Sequence, residues 1–186
     1  MNIISLAIIS AALSLEFFSI SQRFSYFLNK EYLKNTIIFF LILIINVIVF
    51  VSIGASIGYF IDSFFELNSF ITFLILSALI ALKFFFEATA KMHVKKTINP
   101  VFFQNLLGLI VPVGLNILIV SIATSLYFSM NQVFIFIVIF SLLCSFIGFF
   151  VGTFVKKLYN FRLELFSGLL ILGVVIKHIV DYFLLK

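Results

Sequence analysis

Charge is nearly missing from this chain. Asp, Glu, Lys and Arg make up 10% of its 186 residues, whereas a soluble domain carries about 25%. Hydrophobic residues reach 64% and mean hydropathy is +1.32, more apolar surface than a water-soluble fold hides. The sequence therefore reads as an integral membrane protein with little mass outside the bilayer. Cysteine occurs once, as Cys144 in FSLLCSF, which excludes an intramolecular disulfide and fits a small buried hydrophobe. The opening MNIISLAIIS has no basic leader and no small-residue cleavage site, so a retained helix is expected there. Also missing are a phosphate-binding Gly-rich loop, a zinc motif and a Ser/His/Asp set. No enzyme and no resident cofactor are expected, and without an ATPase module any transport is secondary or passive. The net charge of +5 lies mostly in loops and carries no nucleic-acid footprint.

What is present is length of apolar run. A spanning helix needs about 20 mostly apolar residues. Six stretches qualify: Ile3–Gln22, Thr36–Ile61, Phe70–Ala88, Phe103–Phe128, Val133–Val155 and Leu165–Leu184. The expected fold class is all-α, a polytopic membrane protein of six transmembrane helices. Arg23, Lys30 and Lys34 lie between the first and second stretches, and Lys91, Lys95 and Lys96 between the third and fourth. Lys156, Lys157 and Arg162 follow the fifth, while the two intervening loops hold no Lys or Arg. Basic loops stay cytoplasmic, so both termini are expected outside. All the tyrosines, at 26, 32, 59, 127, 159 and 182, fall near stretch ends, the level of the headgroups.

The chain divides into two related halves, 1–97 and 98–186, expected to form a single membrane domain. GASIGYFI, with Gly54 and Gly58, recurs as GFFVGTFV, with Gly148 and Gly152. Lys83 and Glu87 recur as Lys177 and Asp181, and Leu15, Glu16, Ser21 and Ser25 as Leu115, Asn116, Ser121 and Ser125. Three helices per half is an odd number, so the second copy enters the membrane inverted. Inverted repeats are a secondary-transporter architecture with the substrate site near the midplane.

Glu16 stands alone in the first apolar stretch, and Asn116 takes the matching place in the fourth. A carboxylate at that depth costs roughly 2.5–3.5 kcal/mol, which makes it a functional candidate. It also fits a protonated acid tying helices together, and Asn116 fits the same kind of interhelical bond. As a site, the pair supplies cation-binding oxygens, with Ser19, Ser21, Ser121, Glu87 and Glu164 as secondary ligands or coupling groups. Such oxygen donors suit Mg, Ca or Mn rather than thiolate-loving metals. Lys83 with Glu87, and Lys177 with Asp181, sit four residues apart and are expected to neutralise each other near helix ends. Glu164 complements the N-terminal dipole of the sixth helix. Pro112, four residues before Asn116, removes a backbone donor and is expected to bend the fourth helix. His93 and His178 read as ordinary polar residues.

The arrangement resembles the MntP-type manganese efflux pumps of the LysE exporter superfamily, over nearly the whole chain. Ser14-Leu15-Glu16-Phe17-Phe18-Ser19-Ile20-Ser21 is similar to that family's first-helix Ser-x-Asp-Ala-Phe-Ala-x-Ser motif. Gly114-Leu115-Asn116-Ile117-Leu118-Ile119-Val120 resembles its fourth-helix Ser-x-Asp-Ala-x-Ala-Val motif. Leu163-Glu164-Leu165-Phe166-Ser167-Gly168 looks like the start of its sixth helix, and Lys83-Phe84-Phe85-Phe86-Glu87 like the end of its third. Glu16 and Asn116 stand where the family has aspartates, and Phe17 and Ile117 where it has alanines. The resemblance implies export of Mn2+ or a related divalent ion across a bacterial cytoplasmic membrane by alternating access, with proton coupling through Glu16. Its alternatives are export of another small solute and a non-transporting membrane scaffold.

Overall fold

The computed structural model describes residues 3–26, 32–65, 69–90, 103–155 and 163–184. They form six α-helices: α1 (Ile3–Tyr26), α2 (Tyr32–Phe65), α3 (Ser69–Ala90), α4 (Phe103–Ser125), α5 (Met130–Val155) and α6 (Leu163–Leu184). Each holds a stretch long and apolar enough to cross a bilayer, and the described residues contain no strand. The protein is a six-helix, multi-pass membrane protein. In hydrocarbon every backbone N–H and C=O needs an internal partner, which a helix provides within its own segment. Ile, Leu and Phe then point outward without cost, and Phe86, Phe154 and Phe183 are among the most exposed side chains.

The helix limits differ from the apolar runs in two informative places. α2 runs to 34 residues, about 51 Å at 1.5 Å per residue and well beyond the hydrocarbon thickness. Its first and last turns are too polar to count as apolar run, yet nothing in them breaks a helix. α4 stops at Ser125 instead of Phe128, because Tyr127 and Phe128 N–H both turn back onto the Thr124 carbonyl. Ser129 then opens α5 as a capping box: its Oγ accepts from Gln132 N–H at 3.4 Å, and its own N–H donates to Gln132 Oε1 at 3.3 Å. Ser129→Ala is expected to lower stability by about 1 kcal/mol, read as a lower melting temperature of the detergent-solubilised protein.

Packing follows the repeat but not the chain order. α1 packs chiefly on α5, α2 on α4, and α3 on α6, so every principal pair joins one helix from each half. The glycines show why. A side chain at Gly54 would fall on the Leu118 carbonyl and Ser121, and one at Gly58 on Ser125 Oγ and the Ile122 carbonyl. In the other half, Gly148 lies against the Phe18 backbone, and Gly152 against Ser25 Oγ and the Gln22 carbonyl. Leu118, Ile122 and Ser125 correspond to Phe18, Gln22 and Ser25 at one common displacement, so the two parallel pairs are copies of one contact. Small residues allow this approach where dispersion, not water exclusion, holds helices together. The two three-helix segments are thus repeats in sequence but not separate packing bodies.

α3 and α6 run antiparallel. Gly168 lies against Ala81 and Phe84, while Phe70 stacks on Tyr182 at 4.8 Å near the far ends. Tyr127 joins this cluster through Phe73 at 5.7 Å, and burial pushes its phenol pKa up. The aromatic cluster gathers the start of α3 with the ends of α4 and α6 at one end of the bundle. Lys30, Lys91, Lys95, Lys96, Lys156, Lys157, Arg162, His93, Tyr159 and Pro100 lie outside the described residues.

Candidate functional site

α1 and α4 meet at the middle of their spans, and the contact is polar. Glu16 and Asn116 are both buried, 7% and 2% exposed. The Asn116 amide nitrogen donates to both carboxylate oxygens of Glu16, at 3.1 Å to Oε1 and 3.0 Å to Oε2. The two residues singled out in the sequence therefore touch. Both are held by helices of strong apolar content, with Phe17 and Ile117 fully buried beside them. Pro112 lies inside α4, where it has no N–H to give the carbonyl one turn back. α4 nevertheless continues as one helix through it.

The structure adds a residue that the sequence placed elsewhere. Lys83 of α3 donates from Nζ to the Asn116 carbonyl oxygen Oδ1. Its pairing with Glu87 is looser, 3.7 Å to Oε1, beyond hydrogen-bond length. The Lys83–Glu87 pair expected from the four-residue spacing is present, and the ammonium also reaches the central amide. Lys177, its sequence counterpart, is exposed on α6, so the repeat symmetry is broken at this point. The result is a relay Glu16–Asn116–Lys83–Glu87, three ionisable groups around one amide.

The amide's orientation follows from its neighbours. A carboxylate on one side accepts only, and an ammonium on the other donates only. NH2 must therefore face Glu16 and the carbonyl oxygen Lys83. The alternative would set NH2 against NH3+ and oxygen against carboxylate.

Ser21 and Ser121, each five residues beyond a member of the central pair, fall on other faces. Ser121 lies on the α2 side of α4, against Gly54, since five residues along a helix turn the side chain well away from Asn116. Ser21 is buried like Ser121, and neither hydroxyl has a hydrogen-bond partner. Ser19 is half-buried. Glu164 is buried in the first turn of α6, where the helix dipole favours a negative charge. One turn on, Ser167 donates to the Ala12 carbonyl of α1 at 2.7 Å. Farther along the same seam, His178 pairs with Ser5 at 3.1 Å and its ring meets Phe73 edge-on. His178 is thus a three-helix tie between α1, α3 and α6, a role its position among apolar residues did not reveal.

Among the described residues no three His, Cys, Asp or Glu side chains converge as a metal cage. The centre offers instead a carboxylate, an amide and an ammonium in the membrane interior. No family model matches the chain, and no curated protein and no solved structure matches it either.

Proposed function

We propose that this membrane protein is a secondary transporter of a small cation, with Mn2+ or a related divalent ion as its substrate, akin to the MntP-type pumps. The observation that carries the reading is the contact between Glu16 and Asn116, the matching residues of the two repeats, at the centre of the bundle. An ionisable group paired across helices at that depth is costly, and its usual return is an ion pathway. Carboxylate and amide oxygens suit hard and intermediate cations. Alternating access in this reading is less a rocking of one three-helix segment against the other than a parting of interleaved helices, since every principal helix pair joins the two segments. The motion that opens the site separates α1 from α4 and breaks the Glu16–Asn116 bond.

Placed in a bacterial cytoplasmic membrane with both termini outside, export of a divalent ion against an inside-negative 100 mV costs about 4.6 kcal/mol, twice the value per unit charge. Proton entry through Glu16 is the coupling this reading requires. In a manganese-sensitive strain, expression of the parent protein is expected to lower cellular manganese, and Glu16→Gln to abolish that effect. Resistance that survives Glu16→Gln would sink the reading.

Lys83 favours one alternative. A site displaying ammonium and carboxylate together also suits a zwitterionic solute, as in other LysE-like exporters. Vesicle flux of amino acids with none of metal ions would decide for it.

A further inference from the structure

We propose that Lys83 is a tethered cation that locks the transport site and must withdraw to Glu87 before an ion binds. This inference rests on the cation-transporter reading above and names the residue that governs occupancy of the same site.

Orientation of the amide decides what the site can hold. For Glu16 and Asn116 to ligate one ion together, both must present oxygen to it. The amide instead gives its NH2 to both Glu16 oxygens. Its side-chain oxygen is turned to Lys83, which donates to it. Rotating the amide by half a turn would bring NH2 against the ammonium, so rotation is blocked while Lys83 stays. The second acceptor for that ammonium is already in range: Glu87, one helical turn along α3 and 3.7 Å away. Moving Lys83 from Asn116 to Glu87 removes the positive charge from the amide, frees it to rotate, and leaves two oxygen donors side by side. Lysine suits this task because its compact ammonium rides on a flexible four-carbon stem.

Lys83 therefore plays the part of a competing ion built into the chain: bound when the substrate is absent, displaced when it arrives. Lys177 occupies the matching sequence position but is exposed, so the device exists in one half only.

The test is binding of Mn2+ alone to the purified full chain in detergent, followed by the electron paramagnetic resonance signal of free Mn2+. Lys83→Met is expected to tighten binding by at least tenfold, and Lys177→Met to leave it unchanged. Glu87→Gln is expected to weaken binding several-fold, because Lys83 then has nowhere to go. The discriminating sample is the double variant Lys83→Met/Glu87→Gln. If Glu87 acts by receiving Lys83, the double variant binds as tightly as Lys83→Met. If Glu87 merely adds negative charge, the loss persists in the double variant and the lock is wrong. Wild-type binding that Lys83→Met fails to tighten overturns the lock while leaving the transporter reading intact. No Mn2+ binding by the wild type or any variant overturns both. Each variant is compared at equal size-exclusion profile, and the opposed signs of Lys83→Met and Glu87→Gln cannot both arise from misfolding.

Discussion

Asn116→Leu is expected to destabilise the protein by about 1–3 kcal/mol, the cost of leaving a buried polar group without its hydrogen-bond partner. The substitution leaves the Glu16 carboxylate facing a leucine and takes from Lys83 the oxygen it donates to. Leucine fits the apolar surroundings, so packing is not the source of the loss. Uncompensated polarity is. The companion variant Glu16→Leu/Asn116→Leu removes both members of the central contact and leaves Lys83 with Glu87. It is expected to recover most of the stability, since replacing both partners by apolar groups is far less harmful than orphaning one. Metal transport should be lost in both. Melting temperatures in detergent read the stability, and vesicle flux the transport. A double variant no more stable than Asn116→Leu would mean that the contact does not hold α1 to α4.

The second large effect is expected at the interleaved helix pairs. Gly58→Leu places a branched side chain onto Ser125 Oγ and the Ile122 carbonyl, and Gly152→Leu does the same to Ser25 Oγ and the Gln22 carbonyl. Backbone cannot move aside as a flexible side-chain tip can, so each pair must separate. About 3 kcal/mol each is expected, the upper end for overpacking, and the two values should agree because the contacts are copies of each other. Gly108 and Gly173 serve as controls, since a side chain at either meets nothing within 4 Å. Their alanine variants should be neutral or stabilising by up to about 1 kcal/mol, the ordinary gain from removing a helical glycine. Equal damage at all these positions would show that close approach is not what makes Gly58 and Gly152 necessary, since helix propensity favours every one of these replacements.

The six helices are legible in the amino-acid sequence, because hydropathy is a local property and the bilayer allows an apolar run of that length almost no other fold. The Gly54/Gly58 and Gly148/Gly152 motifs mark close packing faces, because only small residues permit backbone approach. Glu16 and Asn116 stand out for the same kind of reason: each is expensive where it sits. Helix ends are less legible. The turn at Thr124 that stops α4 and the Ser129–Gln132 box that starts α5 depend on backbone bonds, which hydropathy does not register.

Two features have no signature in the chain's residue pattern. One is which helices pair. α1 with α5 and α2 with α4 satisfy the same small-residue patterns as neighbours within one half would, and only three-dimensional packing chooses between them. The other is Lys83. In sequence it is indistinguishable from Lys177: both lie in an apolar helix with an acid four residues on. α3 rotates against α6 and α4 so that Lys83 meets an amide, while the seat of α6 leaves Lys177 outside. The chain's own composition determined that it spans a membrane six times and carries polar groups at depth. The tertiary structure alone decided which cation faces them, because a helix's rotation about its axis is set by what it packs against and not by its own residues.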